Sequence, residues 1–357
     1  MSKSFFDHFP PPAYLDLPFV GLDISSKAVR ILELKHSGGG IEVGRFAERM
    51  LTTPFEVATI ASNEELKKVL QSLQREFKLH YVKTTLPEEE AYLFKTEVPV
   101  GTPEQMRTSV EFRLEENVPI SGEEAVFDVH LFKKKDDAHY EATVTVVPLK
   151  LIESYTKLFL ECNMEPLSFL LEPTAISRSI VKREDLGAYI IVNLGELKTG
   201  ISIVSDQAIQ FTSTVNIGSE SFTQAISKEF NISTEEAEKM KKEKGLVRQD
   251  ENSDIFFALA NSVSVLKDEI ERVFMYWHSH QDKGDANAKK IEKIIICGKD
   301  STLLGFKDHL AISLKIPVEL GNVWENLFSF DQTIPPISQV DSLNYAACVG
   351  VLLPKIK

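Results

Sequence analysis

Read from its N-terminus, the chain alternates short apolar runs with short polar breaks. "FVGLDI" is a strand-like run that stops at Asp23, "SSK" follows, and "AVRILELK" resumes the strand pattern. This predicts strands over 19–24 and 28–35, a turn at the glycines 38–40, and a third strand in "IEVGRFAERML". The spacing then becomes helical. Leu66, Val69, Leu70, Leu73 and Phe77 recur every three or four residues, and Ser62 with Glu65 has capping-box spacing. "YVKTTLP" reads as a strand beneath that helix.

Residues 87–166 read as a separate β-α-β-β-α unit. "AYLFKTEVP" is a strand. A helix follows, with Thr102 as cap, Pro103 at its first position, Gln105 completing the box, and Met106, Val110 and Leu114 on its apolar face. "EAVFDVHLF" and "HYEATVTVVP" form a hairpin around "KKKDD", and "LKLIESYTKLFLECNM" is the closing helix. From residue 188 the chain resembles its own beginning. "AYIIVNLGELKTGISIV" repeats strand, polar turn, strand, and sets Asn193, Leu194 and Gly195 where Asp23, Ile24 and Ser25 stood. Further on come a helix over 219–230, a second boxed by Ser233 and Glu236, and a long one over 255–280. Then come the buried strand "IEKIIICG", a helix in "TLLGFKDHLAISL", the short strand "IPVEL" and a closing helix over 340–353.

Charge and composition narrow the partners. The formal net charge is -13, which gives no general attraction to nucleic acid or to anionic lipid. The 3 cysteines, Cys162, Cys297 and Cys348, lie far apart and fit buried thiols in a reducing compartment. No run approaches the roughly 20 apolar residues of a membrane span, and the N-terminus, with Phe5, Phe6, Phe9 and Pro10–Pro12, lacks the apolar core of a signal peptide. The expectation is a cytoplasmic protein without direct membrane insertion.

The chemistry concentrates in the turns. A plain hairpin favours Asn-Gly or Asp-Gly, yet the first turn has no glycine at its tip. It offers a carboxylate (Asp23), two hydroxyls (Ser25, Ser26), an ammonium (Lys27) and backbone N–H groups, a set suited to a phosphate and its metal ion. Two such hairpins, with a third strand–glycine–helix element at Gly298, point to a duplicated α/β domain whose turns face a cleft. The alternative is two unrelated surface hairpins.

These stretches carry a resemblance. "GLDISSKAVRILELK", "IIVNLGELKTGISIV" and "IEKIIICGKDSTLLGFKDHLAISLKIPVEL" resemble the two phosphate motifs and the adenosine motif of the PilM family of type IV pilus assembly proteins. That family lies within the actin-like ATPase superfamily that includes FtsA. "EFRLEENVPISGEEAVFDVHL" resembles the family's inserted subdomain, and "SFTQAISKEFNISTEEAEKMKKEKG" the segment whose Glu and Lys flank the base.

The resemblance implies an actin-like (ribonuclease H-like) fold of duplicated domains flanking a nucleotide cleft. Its first domain would be 19–86 with 167–187 and 335–357, its inserted subdomain 87–166, and its second domain 188–334 with 219–290 as a smaller subdomain. Residues 1–18 would be a Pro/Phe-rich arm. It also implies binding of ATP or ADP with Mg, the metal held through water by Asp23. Ser25, Ser26 and Lys27 fall on the first phosphate turn, and Asn193, Gly195, Lys198, Thr199 and Gly200 on the second. Glu238 and Lys241 fall beside the base, Gly298 and Lys299 at the adenosine motif, and Glu172 where an acid lines the cleft. Two departures bear on hydrolysis: Asn193 stands where the second motif usually has Asp, and Gly298-Lys299-Asp300 stands in place of paired glycines. Turnover is at most slow.

The implied function is a scaffold of a type IV pilus, or related secretion or DNA-uptake, inner-membrane platform. It would hold the N-terminal cytoplasmic tail of a PilN-like membrane protein in a groove between the inserted subdomain and the first domain. Other pilus inner-membrane components and copies of itself are further partners. An FtsA-like filament protein and a small-molecule kinase of the same fold are the competing readings.

Overall fold

The computed structural model describes residues 18–37, 40–248, 253–280, 289–331 and 333–354. Of the expected arm, residues 1–17 lie outside this set, as do residues 281–288 after the expected long helix and 38–39 of the expected glycine turn. Two five-stranded sheets share one topology. In the first the strands are β1 (Phe19–Ile24), β2 (Ala28–Ser37), β3 (Gly40–Met50), β4 (Tyr81–Leu86) and, after an insertion, β8 (Glu165–Leu171), in the order β3-β2-β1-β4-β8. In the second they are β9 (Ala188–Leu194), β10 (Thr199–Ser205), β11 (Ala208–Val215), β12 (Ile291–Gly298) and β13 (Val318–Leu320), in the order β11-β10-β9-β12-β13. Each sheet has an antiparallel hairpin edge and a parallel remainder. The duplication read from the two hairpins therefore extends to whole sheets.

Strand alternation decides which side chains face where, because successive residues point to opposite faces. In β9, Ile190, Val192 and Leu194 enter a core covered by α5 (Ser219–Phe230) and α7 (Ser253–His280). Tyr189 and Ile191 face the other way, into a layer shared with the first sheet, and Asn193 shares their parity. In β1, Val20, Leu22 and Ile24 fill the first core under α1 (Glu64–Phe77). Asp23 thus points toward the shared layer. That layer holds α4 (Glu172–Ile180) and α10 (Ala346–Leu352), wedged between the sheets. Their approach is close: a Cβ on Gly350 of α10 would lie 1.7 Å from the Ala175 carbonyl oxygen of α4.

The insertion is a three-stranded sheet, β5 (Tyr92–Pro99), β6 (Ala125–Lys134) and β7 (His139–Pro148) in the order β5-β7-β6. The helix α2 (Pro103–Asn117) covers it through Val110 and Leu114. The expected box closes α2: Gln105 N donates to Thr102 Oγ1 at 3.3 Å and Thr102 N to Gln105 Oε1 at 2.9 Å. The expected unit 87–166 differs at its end. Helix α3 (Leu149–Glu161) places Leu151, Tyr155, Leu158 and Phe159 in the first domain's core, as the crossover between β4 and β8. Its apolar face is broad enough to read as part of either unit. The cap of α1 also differs. Asn63, not Ser62, accepts from Leu66 N at 2.8 Å, while Glu65 turns to the Thr52 and Thr53 hydroxyls at 2.6 and 2.9 Å. The closing segment is a short helix, α9 (Gln339–Ser342), joined to α10 by a 3-10 turn. All 3 cysteines are buried and unbridged. No helix among the described residues is long and apolar enough to cross a membrane.

Candidate functional site

The β1–β2 and β9–β10 turns meet across the shared layer. Each is closed internally, Ser25 N donating to the Ala28 carbonyl and Gly195 N to the Lys198 carbonyl, both at 2.9 Å. Between them lies Glu196, 1 % exposed. Ser25 Oγ donates to its Oε2 at 3.0 Å, and Arg30 Nη2 donates to its Oε1. Arg30 reaches this point because alternation along β2 sends it away from Val29 and Ile31. The same guanidinium donates to Glu48 at 2.7 Å and stands 3.7 Å from Asp23 Oδ2. Burial opposes its charge, but Glu196, Asp23 and Glu48 outweigh that and raise its pKa. Burial also works to raise Glu196, yet Arg30, Glu196's own backbone N–H and Lys299 hold it below the usual carboxylate range. Asp23 accepts from Thr85 Oγ1 at 2.6 Å, and burial, against the pull of Arg30 and Thr85, leaves its carboxyl above its ordinary value.

Asn193 donates from Nδ2 to Glu172 Oε1 at 2.8 Å. Glu172, at the start of α4, is pushed well above its ordinary pKa by loss of water and by the nearby Glu88 and Asp23, and shares a hydrogen bond with Glu88. Gly298 ends β12 at φ +83, where a Cβ would strike the Leu194 carbonyl oxygen at 2.4 Å, so only glycine serves there. Asp23, Ser25, Glu172, Asn193, Gly195, Gly298 and Lys299 thus line one cavity with Arg30 and Glu196, but its volume is about 30 Å³.

The other expected residues lie outside that cavity. Lys27 pairs with Glu220 of α5, and Lys198 with Glu89 at 2.8 Å. Thr199 is fully buried, its hydroxyl on the Ile217 carbonyl at 2.6 Å. Gly200 lies on β10 beside Glu88, and Ser26 accepts Phe55 N at its backbone carbonyl. On α6 (Thr234–Lys244), Lys241 is fully buried and bonded to Thr223 Oγ1 at 2.8 Å, Glu238 at 2.7 Å and Asp300 at 2.5 Å. Glu238 is held down to about 2; burial opposes this, but its hydrogen bonds from Lys241 and Thr223 prevail.

A nucleotide needs a pocket of roughly 300–1,000 Å³, so this closed cleft does not fit ATP or ADP. Nor does it present a magnesium site: one Asp23 oxygen is taken by Thr85 and the other faces Arg30. Among the described residues no group of three or more His, Cys, Asp or Glu side chains is placed to hold a metal ion.

A larger space lies elsewhere. A groove of about 310 Å³ runs between the inserted sheet and the body. Val126 and Phe127 of β6 form one wall, Phe169 and Leu170 of β8 the opposite one, and Ile209 beside the β10–β11 turn closes an end. Polar groups also line this space, among them Asp128, His130, Thr143 and Arg178. Thr143 is 4 % exposed and its Oγ1 has no hydrogen-bond partner, while the half-buried Arg178 feels the charge of Asp128. An unmet buried hydroxyl costs about 1–3 kcal/mol, and the groove wall carries one.

Set beside known proteins, the chain matches the model of "Type IV pilus assembly protein PilM" over residues 21–355. The chain belongs to the PilM family. Its fold is actin-like. A solved PilM-PilN type IV pilus biogenesis complex superposes with TM-score 0.73 at 18% identity, covering 94% of this chain and 97% of that one. MreB 5 of Spiroplasma citri bound to AMPPNP gives 0.55 at 14% identity, with 94% and 95% covered. The ethanolamine utilization protein EutJ from Carboxydothermus hydrogenoformans gives 0.51 at 13%, with 93% and 88% covered. No curated protein matches by sequence.

In this PilM-family chain the residues that sequence reasoning missed are Arg30, Glu196 and Glu88, with Asp300 entering it only as a departure from paired glycines. Arg30 carried a signal, a lone cation at an inward position of an apolar strand, which demands a buried anion. Glu196 lay in plain view inside the second turn, but nothing local tells that it folds back onto the first turn.

Proposed function

We propose that this PilM-family chain is a scaffold of a type IV pilus, or related secretion or DNA-uptake, assembly platform. It holds the N-terminal cytoplasmic tail of a PilN-like single-span membrane protein in the groove between the inserted sheet and the body. The tail keeps the chain at the cytoplasmic face of the inner membrane. The observation that carries this reading is the unpaired Thr143 hydroxyl in the wall of an apolar groove of about 310 Å³. An extended peptide supplies what such a wall lacks, main-chain polar atoms and apolar side chains together. The PilM-PilN complex among the structural neighbours supports the choice of partner. ATP or ADP, with magnesium held through water by Asp23, belongs in this reading only to a form in which the two turns have parted.

The test is a fluorescence anisotropy titration with a labelled copy of the tail. Saturable binding is expected, lost in Val126→Glu and weakened in Thr143→Val. Val126 is 38 % exposed, so the charge disturbs the groove rather than the core. Unchanged affinity in both variants refutes the groove as the capture site.

A further inference from the structure

We propose that the Glu196 carboxylate is an intramolecular occupant of the phosphate position between the two turns, and that ATP or ADP binds this chain only by displacing it. The inference rests on the cleft and is independent of tail capture.

The donors of the cleft are the first ground. A phosphate bound between the turns needs their hydroxyls, backbone N–H groups and a cation. Glu196 already uses that set: Ser25 Oγ at 3.0 Å, the Arg30 guanidinium, and its own backbone N–H. The N–H groups of Ser25 and Gly195 are spent within their own turns. The second ground is the far end of the cleft. There Asp300, in the turn after Gly298, accepts from Ser219 Oγ at 2.5 Å and pairs with Lys241 at 2.5 Å. A second internal carboxylate thus joins the β12 turn to α5 and α6, beside Glu238. Charge is the third ground. Despite its burial, Glu196 is held in its charged form by Arg30 and Lys299 and shares the cavity with those two cations, so an entering polyphosphate meets its repulsion unless Glu196 leaves. Lys27–Glu220 ties the first turn to α5 outside the cavity.

The experiment is calorimetric titration of the full chain with ATP and magnesium, and separately with pyrophosphate and magnesium. Glu196→Gln keeps the side chain's size and one acceptor oxygen, which can serve Arg30, while removing the charge and the second oxygen that accepts from Ser25. Glu196→Ala removes the side chain, and Arg30 retains Asp23 and Glu48. Thermal melts establish that both variants fold. The wild type is expected to show no saturation at roughly 1 mM ligand and no thermal shift. Glu196→Ala should bind ATP at least about tenfold tighter, a gain of about 1.4 kcal/mol, with Glu196→Gln between. Glu220→Gln, which frees only Lys27 outside the cavity, should stay within about twofold of wild type. Tight binding by the wild type, a Glu196→Ala variant that binds no better, or an equal gain in Glu220→Gln each overturns the proposal.

Discussion

Glu172 keeps its proton to a higher pH in the folded chain than in the unfolded one, because loss of water, Glu88 and Asp23 all disfavour its charge. The folded state therefore binds more protons. This site's contribution to stability is full below the ordinary carboxylate range of about pH 4 and declines as pH rises toward the folded value. Glu172→Gln removes that penalty while keeping an acceptor for Asn193. Denaturant midpoints should rise for the variant at pH 8 and match wild type at pH 4.5; equal midpoints at both would mean that Glu172 titrates normally. Asn193→Asp does the opposite. It replaces the donor that reaches Glu172 at 2.8 Å with a second acid, so it should destabilise by about 1–3 kcal/mol near neutral pH and less in acid. A variant as stable as wild type at pH 8 counts against that contact. Asp23 and Asn193 were legible because both stand next to last in a strand, at the inward parity. The Arg30–Glu196 pair was not, since it joins residues 166 apart and no local pattern encodes such a meeting.

Elements were legible where period and cap agreed, as in α2 with its Thr102–Gln105 box, and less so where two solutions competed. At α1 both Ser62 and Asn63 were caps by type, and Glu65 was drawn to Thr52 and Thr53 by the path of the loop after β3. At the insertion, the apolar stripe of α3 suited either neighbour, and only the parallel pairing of β4 with β8 assigns it to the first domain. One consequence is a deletion boundary. Tyr92 pairs with Val146, so the inserted sheet enters and leaves side by side. Replacing 92–146 with a short Gly/Ser linker should leave a cooperatively unfolding chain, whereas deletion of 87–166 removes α3 and should yield a molten or insoluble product. Circular dichroism melts of both variants check this, and equal cooperativity contradicts the placement of α3. Helix α10 gives a sharper point. Gly350→Ala forces α10 and α4 apart and should cost about 1–3 kcal/mol, read as a shifted denaturation midpoint.

At the scale of the molecule, the repeated hairpin announced the duplicated domains, and the matching strand orders carry that reading through both sheets. What the sequence did not announce is that the groove has three owners. The inserted sheet and the first domain were expected to form it, but Gln207, Ala208 and Ile209 of the second domain stand at its end. They ride on a tight turn in which Asp206 and Gln207 both have positive φ, at 55 and 63, a geometry that matches strand twist and holds the tip stiffly. Gln207 further donates to the Lys182 carbonyl at 3.1 Å. Walls belonging to one half and an end belonging to the other make the groove sensitive to the angle between the halves. If parting the turns changes that angle, whatever fills the groove and whatever parts the turns read each other by one and the same factor in both directions. If the tail prefers the shut form, Glu196→Ala should loosen the tail in the presence of ATP, and saturating tail should weaken ATP equally. The two sites would then exchange information through a stiff hairpin tip, with no need for turnover.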